Sequence, residues 1–218
     1  MLIHEAEVLE RLVHQLPPEA FPLLHLGSST EAYRTVDQPH VGLIFARLDG
    51  ESQVVVHADL KAAPGVDLVG DFTTDEGLTT LKRAGCVSVL CANLLEHLEM
   101  DPWLALDRVL SLVQPGGFAV VSGPTVFGHH ADPIDNGFRP SAEDVADALP
   151  APFAIEHVEA TRERRLAWYY AGMGQNYWGF TKSLVKPSDR RTWISRVTSA
   201  GRRAEAFIVV ARRGPHDD

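Results

Sequence analysis

The chain has 218 residues, of which 45% are hydrophobic, so it can bury the core of one α/β domain or of two small ones. Its formal net charge of −9 argues against a general affinity for nucleic acid or anionic lipid, whose phosphates it would repel. No apolar run is long enough to span a bilayer, and Cys86 and Cys91 lie in or beside an apolar run, which is typical of buried thiols in a reducing compartment.

The N-terminal segment predicts an amphipathic helix. Val8, Leu9 and Leu12 recur at helical spacing, and Pro17 ends the pattern. Acidic residues such as Glu5 interrupt the segment, which lacks the basic start and continuous apolar centre of a signal peptide. We therefore expect a cytoplasmic protein.

A buried strand that ends in a tight turn is predicted at residues 23–30. A short apolar run is followed directly by Gly27, Ser28 and Ser29. In open parallel sheets, ligands bind beyond the carboxyl ends of the strands, and a glycine there lets the backbone approach a ligand closely. The same residues are equally typical of an ordinary turn between a strand and a loop.

The rest of the chain alternates between strands and helices. Periodicity and cap residues predict helices at 31–50, 74–84, 101–113 and 141–149, and strands at 54–59, 66–71, 87–92, 118–122, 154–160 and 206–211. Five strands that alternate with helices predict a doubly wound, mostly parallel α/β sheet.

Acidic residues end the second and third strands. A carboxylate such as Asp59, some 30 residues after a glycine turn, accepts hydrogen bonds from a ribose diol in dinucleotide-binding folds. Asp59 could also cap or solvate a loop. Asp71 and Phe72 place a hydrogen-bond acceptor beside an aromatic surface, a combination that suits adenine.

We predict one domain over residues 1–218, with residues 161–203 as an aromatic and basic insertion between the last two strands. This insertion could line a substrate pocket, cover a second copy in a homodimer, or lie on another protein or a lipid surface. The first two interpretations are favoured because the rest of the chain is acidic.

Five segments of the chain match the pattern of one known family. They are residues 24–29, Asp59, and residues 65–71, 89–97 and 113–117. The most specific part is Leu-Glu-His at 95–97, followed one helix later by Pro-Gly-Gly at 115–117. Together they resemble a class I S-adenosylmethionine-dependent methyltransferase over roughly residues 20–150. The resemblance implies a Rossmann-like sheet of seven strands, one late strand being antiparallel. It further implies S-adenosylmethionine as cofactor and a small-molecule acceptor, with neither nucleic acid nor membrane as a partner.

The residues that the resemblance implies for cofactor binding follow the first four strands. They are Gly27, Ser28, Ser29, Asp59, Asp71, Phe72, Asn93 and Leu94. The turn at Gly27 would lie along the methionine part of the cofactor, and Asp59 would bind the ribose hydroxyls. The pair after the third strand would bind the adenine, and the pair after the fourth would lie near the transferable methyl group.

The first turn departs from the family pattern. Many members carry two or three glycines there, whereas this chain has Gly27 alone and places Ser29 where another glycine often stands. A β-carbon at that position is costly if φ is positive. The departure disfavours a nicotinamide dehydrogenase, and it leaves open a non-catalytic binding or scaffold protein that has kept the fold.

Candidate catalytic bases lie in the loop after the fifth strand. His129 and His130 could remove a proton from the acceptor near neutral pH, although a solvated lid has the same composition. A metal site that includes Asp132 and Asp135 is the less favoured alternative, because the chain has no HExxH or paired-cysteine spacing. Glu96 and His97 are interpreted as capping and bracing the turn after the fourth strand.

Overall fold

The computed structural model describes residues 1–46, 48, 53–129, 134–168 and 190–215. The strands in chain order are β1 Leu23–Leu26, β2 Val55–Asp59, β3 Leu68–Val69, β4 Ser88–Ala92, β5 Phe118–Val126, β6 Phe153–Arg165 and β7 Arg203–Arg213. Within the described residues they form one seven-stranded sheet of order β3-β2-β1-β4-β5-β7-β6. β1 to β5 are parallel, and β7 lies antiparallel between β5 and β6, which confirms the expected fold class.

Helices cover both faces of this sheet, as the alternating pattern predicted. They are α1 Ile3–His14, α2 Pro39–Leu43, α3 Asp75–Arg83, α4 Pro102–Leu110, α5 Ala142–Asp147 and α6 Arg190–Ser199. The predicted cap residues begin three of them. The Thr74 hydroxyl accepts a hydrogen bond from the Gly77 N–H at 3.1 Å, Asp101 caps α4, and Ser141 forms a capping box with Asp144.

Successive residues of the central strands point to opposite faces and so build two cores. Leu24, Val89 and Ala119 pack with α3, α4 and α5 on one face. Leu23 and Leu90 pack with α1 and the α2 region on the other face. The central strands β1, β4 and β5 are therefore buried on both sides, which explains their continuous apolar runs.

The helix predicted at residues 31–50 is wrong as one continuous element. A π-helical turn at Tyr33–Asp37 is followed by the short α2, and the break falls at Gln38, whose φ is −133° and ψ is 70°. Pro39 supplies the physical reason, because the residue before a proline is disfavoured in the helical region and proline itself has no N–H to donate.

β3 is shorter than predicted, since only Leu68 and Val69 pair with β2. The Asp67 carboxylate accepts the His57 N–H at 2.9 Å, and the Asp67 N–H donates to the His57 carbonyl at 2.8 Å. The Asp67 side chain thus replaces a backbone carbonyl as the hydrogen-bond acceptor at the position where the pairing of β2 and β3 would otherwise begin. The two late strands are longer than predicted, because β6 and β7 pair well beyond their apolar centres.

Candidate active site

A cavity of about 430 Å³ lies at the carboxyl ends of the central strands. This volume falls within the usual range for a small-molecule or cofactor site. The lining includes six of the eight residues predicted to bind the cofactor: Gly27, Ser28, Ser29, Asp59, Asn93 and Leu94. Residues from three neighbouring strand ends therefore meet at one place.

The cavity sits at the point where the strand order reverses. β1 lies between β2 and β4, so the connections that leave β1 and β4 run toward opposite edges of the sheet. Ligands of open α/β sheets bind in such crevices. The two loops that flank the crevice are in close contact, since a β-carbon added at Gly27 would lie 2.8 Å from Leu94 Cδ1. With its φ of +71°, Gly27 is the residue type that this turn requires.

Asp59 joins the end of β2 to the turn after β1. Its Oδ2 accepts the Ser29 N–H at 2.8 Å, while its carbonyl accepts the Gly70 N–H at 3.0 Å. The Ser28 N–H donates to the carbonyl of Ala58 at 2.9 Å. The carboxylate is half-buried, lines the cavity and keeps further lone pairs for hydroxyl donors.

Asp71 and Phe72 lie outside the lining of this cavity. The Asp71 carboxylate accepts the Thr73 N–H at 2.9 Å and the Thr73 hydroxyl at 2.6 Å, which shapes the loop before α3. Phe72 is 6% exposed and packs in the core, and its carbonyl accepts the Arg108 Nε–H at 2.8 Å. Both residues have structural contacts here, and their role toward adenine stays a prediction.

The Arg34 side chain stabilises the turn after β1, a role that the sequence did not predict. The side chain is buried at 5% exposure, and its guanidinium donates to the carbonyls of Ser28, Ser29 and Gly65 at 2.8 to 2.9 Å. Ser29 has a φ of +55°, the left-handed conformation that strains a residue with a β-carbon. Three charge-assisted hydrogen bonds therefore hold a turn that lacks the additional glycines of the family pattern.

We expect Ser29→Gly to raise the free energy of unfolding by about 0.5–1 kcal/mol, because glycine removes the steric cost of a positive φ but loses more entropy on folding. Urea denaturation followed by circular dichroism measures the change. Ser29→Ala is the matched control, since it removes the hydroxyl and keeps the β-carbon. A gain of stability in the alanine variant as large as in the glycine variant would contradict the strain at this position.

A buried carboxylate on α1 ties the N-terminal helix to the strand ends. Glu5 is 0% exposed, and its Oε1 accepts hydrogen bonds from Asn93 Nδ2 at 2.6 Å and from the Ser122 hydroxyl at 2.8 Å. Its Oε2 accepts the Leu2 N–H at 3.0 Å. Asn93, whose φ is +50°, is thus held by a partner 88 residues away in sequence.

Two histidines face each other below the turn. His25 and His57 are paired in register on β1 and β2, with their Nδ1 atoms 3.0 Å apart and the Phe45 ring against both. One Nδ1 donates a proton and the other accepts it, so the pair holds when both rings are neutral. The pKa of His57 is lowered to about 4, mainly by burial and also by Arg34, while Asp67 opposes this shift. Burial, His57 and Arg34 hold the pKa of His25 well below its usual range.

This pair predicts that the free energy of unfolding falls as the pH drops from 6.5 toward about 4. In that window the unfolded chain binds protons that the folded protein excludes from His57, so acid favours unfolding. Urea denaturation at several pH values measures the slope, and His57→Gln should reduce it. His4→Gln, which changes an exposed histidine, is the control. An equal slope in the wild type and in His57→Gln would contradict the prediction.

Glu96 and His97 follow β4 in a 3₁₀ turn at Leu95–His97. His97 lines the cavity, and its Nδ1 lies 2.9 Å from the carbonyl of Ile134. Glu96 is 1% exposed, and its Oε1 has no hydrogen-bond partner among the residues that the structure describes. The pKa of Glu96 is raised mainly by its burial.

The predicted bases fall outside the cavity lining or outside the described residues. The backbone N–H of His129 donates to the Ser195 hydroxyl at 2.9 Å, and His129 does not line the cavity. His130 and Asp132 lie outside the described residues. Asp135 is buried and pairs with Arg139, at 2.9 Å between Oδ2 and a guanidinium nitrogen. A catalytic role for His129 and His130 therefore stays a prediction.

The predicted aromatic and basic insertion is described only in part. At its start, the Arg164 guanidinium lies 4.6 Å from the centre of the Trp168 ring, which is a cation–π contact. Residues 169–189, which hold most of its aromatic side chains, lie outside the described residues.

Comparison with known proteins gives matches at the level of structure. The sequence matches no protein-family profile and no curated protein. The cyclase SpnF is 17% identical, and the match covers 98% of this chain and 81% of SpnF with a TM-score of 0.58. Coclaurine N-methyltransferase, solved with N-methylheliamine and S-adenosylhomocysteine, is 13% identical over 97% of this chain and 70% of its own, with a TM-score of 0.55. A putative methyltransferase from Bacillus halodurans C-125 is 15% identical over 97% of this chain and 99% of its own, with a TM-score of 0.54.

The chain has the class I methyltransferase fold. Within this methyltransferase fold, the cavity residues that sequence reasoning did not assign to the site include His25, Tyr33, His97 and Ile134. His25 and His97 lie in segments 24–29 and 89–97, which carry the family resemblance, whereas Tyr33 and Ile134 have no distinguishing local signal. No helix in the described parts of the chain is long and apolar enough to cross a membrane.

Proposed function

We propose that this protein transfers a methyl group from S-adenosylmethionine to a small-molecule acceptor in biosynthetic or tailoring metabolism. The observation that carries the proposal is the position of Asp59, a half-buried carboxylate in a cavity at the point where the strand order of a methyltransferase fold reverses. There it can accept hydrogen bonds from the two hydroxyls of a ribose.

The cavity residues fit such a cofactor in shape. At Gly27 the backbone lies so close to Leu94 that a β-carbon would fill the space between the two loops. Glycine therefore lets the turn after β1 lie directly against the Leu94 side chain at the edge of the cavity. The volume of about 430 Å³ is adequate for a ligand of nucleoside size.

The charges also fit a cationic cofactor. The described lining includes Asp59 and contains no lysine or arginine side chain. His25 is neutral near pH 7, because burial holds its pKa well below the usual range. A positively charged sulfonium group would thus meet no lysine or arginine side chain on the described lining.

The cofactor supplies an activated methyl group, so the protein contributes placement and proton handling. Asp59 would fix the ribose, and Asn93 and Leu94 would flank the reacting carbon. Alignment of an acceptor with this carbon accounts for about 7–11 kcal/mol of barrier reduction in well-oriented reactions. Glu5 supports this alignment because it holds Asn93 in a left-handed conformation that the residue adopts at a cost.

The structurally similar proteins support methyl transfer as the class of chemistry, but they do not identify the acceptor. Coclaurine N-methyltransferase was solved with S-adenosylhomocysteine, and CurJ, of which the match covers 54%, is a carbon methyltransferase. Their acceptors differ, which is consistent with a fold that keeps its cofactor site and varies the rest.

Isothermal titration calorimetry with S-adenosylhomocysteine tests the proposal. We expect one binding site per chain, and mass spectrometry of the protein as purified is expected to show cofactor that co-purifies with it. The absence of binding for both S-adenosylmethionine and S-adenosylhomocysteine would refute the proposed function.

A second candidate is a non-catalytic binding or scaffold protein with the same fold. It is favoured by the single glycine of the first turn and by Ser29 in a left-handed conformation. SpnF, whose fold is similar, is described as a cyclase, so the fold alone does not fix the reaction. Formation of a methylated product from any acceptor would exclude this candidate.

A further inference from the structure

The Glu96 carboxylate is an unexplained polar group beside the cavity. It is 1% exposed, and its Oε1 accepts no hydrogen bond within the described part of the chain. A buried acceptor without a donor costs about 1–3 kcal/mol, and more when it is charged. The turn after β4 could be capped by a smaller or apolar residue without this cost, so capping alone does not account for Glu96.

His97 is a cation-forming group in direct contact with this carboxylate. Its Nε2 lies 3.7 Å from Glu96 Oε1, a distance suited to an ion pair once the ring is protonated. A carbonyl oxygen can only accept, so the 2.9 Å contact with Ile134 places the neutral ring's proton on Nδ1. Nε2 is then the atom that takes up a further proton.

The other charged groups around Glu96 have partners of their own. Arg139 forms an ion pair with Asp135 and donates to the carbonyl of Phe138 at 2.8 Å. Glu5, on α1, accepts hydrogen bonds from Asn93 and Ser122, and its charge opposes ionisation of Glu96. The Cys91 thiol on β4 is buried, and both burial and Glu96 raise its pKa, so it stays neutral near pH 7.

We propose that His97 takes the proton that the methyl acceptor loses, and that Glu96 is the positioning residue that stabilises the resulting imidazolium. The proposal rests on the proposed methyl transfer. The acceptor is thereby assigned to compounds whose reacting oxygen or nitrogen atom carries a proton, as in a hydroxyl group or an amine.

The step balances in atoms and charge. The acceptor's oxygen or nitrogen forms a bond to the methyl carbon, and the electron pair of the breaking carbon–sulfur bond stays on sulfur. The acceptor's proton passes to His97 Nε2, and the positive charge of the sulfonium thus ends on the imidazolium. The Glu96 carboxylate lies on the side of the ring where this charge appears.

The first test measures the pair in the protein without ligand. Carbon-13 NMR of the Glu96 carboxyl group follows its titration in the wild type and in His97→Asn. The asparagine amide can still donate to the Ile134 carbonyl but cannot take a proton. We expect the pKa of Glu96 to rise in this variant, because a cation that lowers it is removed. His14→Asn, at a half-buried histidine bonded to the Ile44 carbonyl, is the matched control and should leave the titration unchanged. If the pKa of Glu96 is the same in His97→Asn as in the wild type, the proposal is overturned.

The second test separates proton handling from cofactor binding. S-adenosylhomocysteine should bind with equal affinity to the wild type and to Glu96→Gln, because Glu96 does not line the cavity. No binding to the wild type would refute the proposed function as a whole. Binding to the wild type together with an unchanged Glu96 titration would overturn this inference alone.

The third test uses transfer of a labelled methyl group to phenol, 4-nitrophenol and secondary amines. At pH 7, His97→Asn should reduce the rate with phenol about 100-fold, the usual contribution of a general base, and Glu96→Gln should reduce it less. The loss should be smaller with 4-nitrophenol, which is already about half ionised at this pH and therefore depends less on a base. Equal losses with both phenols, or transfer only to acceptors without such a proton, would overturn the proposal. If none of these probes is methylated, the Glu96 titration decides.

Discussion

Asp59→Asn is expected to weaken the binding of S-adenosylhomocysteine about 10-fold, and Asp59→Ala about 100-fold, since charge-assisted hydrogen bonds contribute about 1.5–3 kcal/mol each at most. The asparagine side chain keeps an oxygen for the Ser29 N–H but loses the charge and one acceptor position. The alanine variant also leaves the Ser29 N–H, bonded at 2.8 Å in the wild type, without its partner.

Isothermal titration calorimetry measures both variants against the wild type. Asp107→Asn is the matched control, because Asp107 is exposed on α4 and does not line the cavity. Circular dichroism should show that Asp59→Asn keeps the fold. Affinity in Asp59→Ala equal to that of the wild type would mean that the ribose does not lie at the end of β2.

Arg34→Met is expected to lower the free energy of unfolding by about 2–4 kcal/mol, because one buried and two partly buried carbonyls lose their hydrogen-bond donors at once. Methionine fills a similar volume and removes the buried charge, so the loss reports on the carbonyls. The affinity for S-adenosylhomocysteine should also fall about 10-fold, since the turn would no longer be held in the binding conformation.

Urea denaturation and calorimetry measure these two effects. Arg34→Lys should lie between the wild type and Arg34→Met, because an ammonium keeps the charge but lacks the planar fork that reaches three carbonyls. Arg11→Met is the control, as Arg11 forms an exposed ion pair with Glu159 that contributes at most about 1 kcal/mol. A loss in Arg34→Met no larger than in Arg11→Met would contradict the role of Arg34 in the turn.

Much of the fold could be predicted because its signals are local. The apolar runs of β1, β4 and β5, the caps at Thr74 and Ser141 and the helical spacing of α1 each depend on residues a few positions apart. The failures were also local in cause. The helix predicted at residues 31–50 breaks at Gln38, before Pro39, although the helical spacing of apolar residues continues beyond it. At the start of β3, the Asp67 carboxylate replaces a backbone carbonyl as the hydrogen-bond acceptor.

The sequence predicted which strand ends form the candidate site, but it did not predict the contacts among their side chains. Parallel strands bring their carboxyl ends to one edge, so Gly27, Asp59 and Asn93 were expected to meet once the strands were assigned. Phe72 follows β3 but packs in the core and lies outside the cavity lining, so its role toward adenine stays a prediction.

The sequence by itself determined the α/β alternation, the position of the first turn and the acid at the end of β2. These features follow from residue periodicity and from backbone preferences, which act over a few residues. Only the tertiary structure decided that Arg34 holds the first turn, that Glu5 holds Asn93 across 88 positions, and that the Glu96 side chain is buried. A buried charge takes its partner from whichever segments the packing brings together, and no local pattern encodes that choice.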